Sequence, residues 1–272
     1  MPVYQNYQAG YKFRTQKTPV KQKGIYLQET HMNSKSVLIT GGNKSIGFET
    51  ARQLGQRGYT IWLGCRDEQR GEVAVARLAA EGINVRLIIM DVTSLPGIQA
   101  AAQRVQEEEG KLDLLINNAG ISGAQPVAPS AQSLSDIMAV YETNVFGVIR
   151  VTQAFLPLLK SAPHARIIMV SSGLGSLEWV ADLSHPYSQV EAMGYTSSKS
   201  ALNAVTVAFA KELIKDNISV NAVDPGYTAT DFNGHTGYRT VEQAAAGIVW
   251  LAEQERAEMT AGFWFDQQRA PW

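Results

Sequence analysis

The chain has 272 residues, 45% of them hydrophobic, enough to bury a large core within one domain. Lys and Arg total 24 against 25 Asp and Glu, and the formal net charge of -1 excludes a general electrostatic pull toward nucleic acid or a membrane surface. Small-molecule chemistry is therefore expected; Cys65 is the single cysteine and no apolar run reaches bilayer length, so a reducing cytoplasm is the expected setting.

Residues 1–33 carry Lys12, Arg14, Lys17, Lys21 and Lys23 against Glu29 and lack the aliphatic pattern of a core. They read as a polar, basic arm, either flexible or foreign to the folded domain, which is expected to occupy residues 34–272. From Ser36 onward short β-branched runs alternate with helical stretches. Strands are expected at Ser36 to Thr40, Thr60 to Cys65, Val85 to Met90, Leu112 to Asn117, Ala165 to Ser171, Ser219 to Val223 and Gly262 to Asp266. Helices are expected at Ser45 to Arg57, Glu68 to Glu81, Leu95 to Glu109, Ser133 to Lys160, Met193 to Lys215 and Val241 to Gln254. The fold class is α/β: a doubly wound parallel sheet of about seven strands with helices on both faces. Its ligand crevice should lie past the carboxyl ends of the strands.

The first such end is the turn "GGNKSIG", which runs from a strand into a helix. Backbone N–H groups and the positive end of the helix dipole converge there, making an anion site. The spacing is neither GxGxxG nor a P-loop. Gly41 permits the turn and Gly47 allows close approach, while Ser45 is expected at the helix N-cap, where its hydroxyl is favoured.

Farther along, "YTSSK" puts Tyr195 and Lys199 four apart on one helix face, within reach of each other. A cation beside a phenol favours its ionised form, so Lys199 is expected to lower the pKa of Tyr195. Tyr187 is a rival, but Glu191 stands four residues after it, and that charge would raise its pKa.

Taken together these segments resemble the short-chain dehydrogenase/reductase family, over nearly all of the chain beyond the leader. "TGGNKSIG" is similar to the family's TGxxxGxG turn with Ser45 in place of the middle glycine, and "NNAG", "MDVT", "YTSSK" and "PGYTAT" match further family segments. The resemblance implies a single Rossmann-type domain that binds a nicotinamide dinucleotide through Gly41, Asn43, Lys44, Ser45, Ile46 and Gly47, with Asp91 and Val92 at the adenine and Asn118, Ala119 and Gly120 beside the adenosine. It also implies that Pro225, Gly226, Thr228 and Thr230 hold the nicotinamide carboxamide. A catalytic set of Asn144, Ser172, Tyr195 and Lys199 follows from the same likeness. Ser172 would bind the substrate oxygen, Tyr195 would exchange its proton, Lys199 would hold the nicotinamide ribose, and Asn144 would anchor a water that resupplies protons. Cys65 stands where an acid would select a plain ribose, and Arg66 follows it, so NADP(H) is the expected cofactor with Arg66 and Lys44 on the 2'-phosphate.

The expected activity is an NADP(H)-dependent oxidoreductase interconverting a small-molecule carbonyl and alcohol, in the manner of a carbonyl reductase. A catalytically silent NADP-binding sensor or regulator of the same fold is the alternative. A family epimerase or dehydratase is disfavoured, because Lys44 stands where its turn needs glycine and little chain follows Thr230. The segment Leu177 to Glu191 reads as an insertion that walls the substrate pocket, with Trp179, Val180, Tyr227 and Phe232 making an apolar wall and "FNGHTGYRT" a flap. His31, His164, His185 and His235 show no metal-ligand spacing, so no metal is expected. Helices Ser133 to Lys160 and Met193 to Lys215 correspond to the family's interface between subunits, a homo-oligomer contact that the insertion could block.

Overall fold

The computed structural model describes residues 34–123, 127–254 and 259–272, so the arm expected at residues 1–33 lies outside the described residues. Val37, Leu38 and Ile39 illustrate how the sheet is made: successive side chains point to opposite faces. Val37 and Ile39 join a cluster with Leu54, Ile61 and Ile248, while Leu38 joins one with Trp62, Phe155 and Ile167. A strand buried on both sides must be apolar through its interior. Every residue is buried in β1 (Ser36–Thr40), β2 (Thr60–Cys65) and β5 (Arg166–Val170), whose interiors are apolar and whose polar residues, Ser36, Thr40, Thr60 and Arg166, stand at strand ends.

The sheet is completed by β3 (Val85–Ile89), β4 (Leu114–Asn117), β6 (Ser219–Val223), β7 (Phe263–Phe265) and β8 (Gln268–Arg269). Their order is β3-β2-β1-β4-β5-β6-β7-β8. The first seven pair in parallel, and β8 turns back antiparallel on β7. The two exposed residues of β8, too short and polar to read as a strand, are the addition to the expected seven. Because β1 lies between β2 and β4, the chain reverses direction across the sheet there, and a crevice opens past its carboxyl end.

Most helices fall where the periodicity puts them: Ser45–Gln56, Glu68–Ala80, Leu95–Glu108, Met193–Leu213 and Val241–Ala252. The exception is the long helix expected over Ser133 to Lys160. Two α-helices, Leu134–Tyr141 and Val148–Lys160, are joined there by a π-helical turn at Glu142–Gly147. A wider turn of this kind interrupts the regular hydrogen-bond ladder, often at a functional position. Within the insertion, Leu177–Ala181 is a short helix and Pro186–Gln189 a single 3-10 turn.

Candidate active site

Ser45 is not the N-cap of the first helix. The Phe48 N–H donates to the Lys44 carbonyl at 3.1 Å, which makes Lys44 the cap, and Ser45 follows with φ at +49°. The turn must curl left-handed to bring its N–H groups round, and serine takes the conformation that glycine would take without strain. The Thr40 hydroxyl at the end of β1 accepts from the Asn118 and Ala119 N–H groups, each at 2.9 Å. Asn118 Nδ2 in turn donates to the Thr40 and Gly41 carbonyls at 2.9 and 3.1 Å. A Cβ on Gly47 would lie 2.5 Å from that Nδ2 and 2.6 Å from Gly41 O, so only glycine lets the helix start this close to the loop after β4. Asn117, at the end of β4, donates to Thr152 Oγ1 of the Val148–Lys160 helix at 3.1 Å and to Met169 Sδ of β5 at 3.3 Å.

This bare helix start, with Lys44 and the exposed Arg66 at its rim, fits the phosphates of a dinucleotide by charge and by room. Lys44 Nζ meets Asp231 at 3.0 Å, across from the turn on the segment after β6, and His235 Nε2 meets the same carboxylate at 3.0 Å. Asp91 accepts from the Thr93 N–H and hydroxyl at 2.8 Å each, which holds its carboxyl below the usual range. Thr228 donates to the Pro225 and Gly226 carbonyls, and Thr230 caps the turn Asp231–Asn233 through the Phe232 N–H. The base of the expected flap is pinned: Arg239 binds Asp266 through both terminal nitrogens, at 2.7 and 2.6 Å.

Ser172, Tyr195, Lys199 and Asn144 come together past the carboxyl ends of β4 and β5. Of the two serines that follow β5, Ser171 is committed to the buried Asn203 at 2.6 Å, while Ser172, whose Oγ accepts from the Leu174 N–H at 3.2 Å, faces the Tyr195 phenol. Lys199 is buried below, donating to the Val170 carbonyl at 2.7 Å, with Nζ 5.7 Å from the Tyr195 ring centroid. Asn144 sits in the π-helical turn. Its amide exchanges 2.9 Å hydrogen bonds with the Ile121 N–H and carbonyl and donates to Ser198 Oγ at 3.1 Å. Gly120 lies between Asn144 Oδ1 and Lys199 Nζ.

The electrostatics differ from the expected depression of Tyr195. Burial pushes its phenol up, and the Ser172 hydroxyl facing it pulls the other way. Burial also pulls Lys199 down to about 8, because an ammonium group loses its hydration there. Tyr187 is raised as well, first by burial and then by Asp224; Glu191, the charge expected to act on it, is not the cause. Its ring packs on Gly173, the residue after Ser172.

Two features escaped the sequence reading. Asp224, at the end of β6, is buried beside these groups, although its place in "VDPG" reads as an ordinary turn former. Trp179 faces inward, stacking on His185 at 5.4 Å and packing edge-on to Phe265 at 6.3 Å, so Tyr187 is the insertion residue that reaches the site. Phe232 packs its ring against Tyr195 at 5.5 Å.

Sheet order and crevice mark the class of doubly wound nucleotide-binding α/β proteins. Within that class the chain belongs to the short-chain dehydrogenase family, whose model matches residues 35–239. It is 39% identical over 224 residues to the short-chain dehydrogenase anuI of Penicillium roqueforti, covering 80% of this chain and 88% of that protein. With (-)-isopiperitenone reductase of Mentha piperita it shares 32% identity, over 79% of this chain and 91% of the relative. Among solved structures, the NADPH-bound carbonyl reductase from chicken fatty liver matches with a TM-score of 0.79 at 30% identity, covering 88% of this chain and 99% of that one. The protein is thus an oxidoreductase of this family. Among the described residues, no helix is long and apolar enough to cross a membrane.

Proposed function

We propose that the protein is an NADP(H)-dependent carbonyl reductase, with Tyr195 as general acid. The observation that carries this reading is the buried Lys199, with Nζ 5.7 Å from the Tyr195 ring and tied to the Val170 carbonyl two residues before Ser172, at the edge of the sheet that also holds the glycine turn. NADP(H), when bound, supplies or accepts the hydride. Gly41, Asn43, Ser45, Ile46 and Gly47 would carry its phosphates, Lys44 and Arg66 the 2'-phosphate, Asp91 and Val92 the adenine, Asn118 to Gly120 the adenosine, and Pro225 to Thr230 the carboxamide.

Reduction of a carbonyl places negative charge on oxygen as its carbon gains a hydride. The Ser172 hydroxyl donates to that oxygen, and Tyr195 gives up its phenolic proton to complete the alcohol. The phenolate left behind is balanced by the Lys199 ammonium and takes a proton from it, and Lys199 is then reprotonated from solvent through the polar path at Asn144. At neutral pH the Tyr195 phenol carries the proton that the reductive direction needs, and because burial disfavours the phenolate, the Lys199 charge beside it must offset the cost of releasing that proton. Apolar rings at the rim, Phe232, Tyr227 and Tyr238, all exposed, favour an apolar carbonyl substrate. Relatives named isopiperitenone reductase and salutaridine reductase support that class.

The test is loss of NADPH absorbance with a panel of apolar ketones and aldehydes. Tyr195→Phe should keep NADPH binding, read by cofactor fluorescence, and lose at least about a thousand-fold in kcat, as for removal of a catalytic acid. Turnover preserved in that variant would overturn the assignment. NADPH binding without turnover of any substrate by the wild type would favour the silent sensor.

A further inference from the structure

Buried carboxylates in this protein are normally partnered. Glu49 meets Arg52 and Gln53, and Asp113 meets Lys111 and the Ser36 N–H. Asp224 differs. It is 4% exposed, its Oδ1 accepts from the Gly226 N–H at 2.9 Å, and its own N–H is tied to the Trp264 carbonyl at 2.8 Å. The Gly173 N–H faces the carboxylate, yet Oδ2 closes no hydrogen bond. A buried oxygen left in that condition costs about 1 to 3 kcal/mol, and such groups are expected to have a reason.

The surroundings supply one. A Cβ on Gly173 would lie 2.7 Å from Oδ2 and would collide with the Tyr187 ring, so carboxyl and ring share the space above the residue that follows Ser172. Val223, the residue before Asp224, pairs with Val170 of β5, whose carbonyl receives Lys199 Nζ at 2.7 Å, so Asp224 stands at the same strand end as Lys199 and Tyr195 of the Met193–Leu213 helix, and its charge acts on both. Arg239, before the last helix, and Asp266, after β7, face it from the other side; both terminal nitrogens of Arg239 are committed to Asp266, and its buried Nε makes no hydrogen bond to Asp224. Tyr187 and Tyr238 complete the titratable groups around the cluster.

We propose that Asp224 is a positioning residue for the proton transfer: an internal counter-charge that keeps Lys199 an ammonium ion and that, with Gly173, seats the Tyr187 ring over the end of β5. The proposal rests on Tyr195 and Lys199 acting as assigned above. Burial strips Lys199 of hydration, and the Asp224 charge opposes that loss. Without it, Lys199 deprotonates at lower pH, and Tyr195 ionises more readily because a nearby negative charge is gone.

Asp224→Asn retains the acceptor for Gly226 and removes the charge, and Asp224→Ser is a second neutral variant should the first not fold. In either, the alkaline limb of the pH profile of kcat for carbonyl reduction should move to lower pH by about one unit. The titration of tyrosine absorbance in the free protein should shift the same way, by a component that disappears when Tyr195→Phe is added. Tyr187→Phe should leave both titrations in place. Profiles of the neutral variants that superimpose on wild type, or that only fall uniformly, would reduce Asp224 to a structural role. Because the absorbance titration needs no turnover, it separates this outcome from a wild type that proves inactive.

Discussion

Ser45 shows what a single residue can conceal. A serine at a strand-to-helix turn reads as a cap, because its side chain is suited to that position, but the left-handed curl of this turn comes from the path of the chain around the anion site. The conformation costs a residue with a Cβ about 1 to 2 kcal/mol. Ser45→Gly should therefore raise the free energy of unfolding by up to about 1 kcal/mol, after the extra freedom of glycine in the unfolded chain is allowed for. A urea midpoint moved upward with an unchanged slope is the expected result, and a lower midpoint would show that the hydroxyl outweighs the strain. Tyr195 and Lys199 were legible because helical spacing fixes which side chains share a face. Asp224 was not, because burial of an acid depends on what later packs over it, here Gly173 and Tyr187 from the insertion.

Elements were legible where their own periodicity decides them and opaque where a distant contact does. The apolar pattern over Ser133 to Lys160 is helical throughout, and nothing local announces the π-helical turn that lets Asn144 grip Ile121 on another loop. The segment after β6 is similar: its turn residues were visible, its ion pair to the glycine turn was not. That pair between Lys44 and Asp231 is exposed on both sides, and such pairs contribute about 1 kcal/mol or less. Its consequence lies in binding, since an ammonium engaged by Asp231 must be shared with or released to a phosphate. Asp231→Asn should leave stability within about 0.5 kcal/mol of wild type and tighten NADPH binding roughly two- to five-fold at low salt, with NADH unchanged. Equal changes for both cofactors, measured by fluorescence titration, would remove Lys44 from the 2'-phosphate.

At the scale of the molecule, the alternation of strand and helix was enough to place the crevice, because right-handed crossovers leave few ways to wind a parallel sheet. What the whole fold adds is dielectric: the sheet and the Met193–Leu213 helix together enclose an ionisable pair whose energetics no segment determines alone. Lys199 has its pKa drawn from 10.5 to about 8 in the folded protein. Between those values the unfolded chain holds the proton and the folded one has lost it, so folding is favoured as pH rises across the window. Asp224, displaced upward, works the other way, losing stability as pH climbs from its unfolded value of 3.8 toward its folded one. The two windows have opposite signs and different places on the pH axis, which allows them to be separated. Lys199→Met removes the alkaline one and leaves a carboxyl window at acid pH. Relative to wild type, its unfolding free energy should be most favourable below about pH 8 and should lose up to about 3 kcal/mol of that advantage by about pH 10.5. Chemical denaturation of both proteins across that range would measure it. A difference that stays constant with pH would mean that Lys199 keeps its ordinary pKa, and that the pocket beneath Tyr195 is wetter than its packing implies.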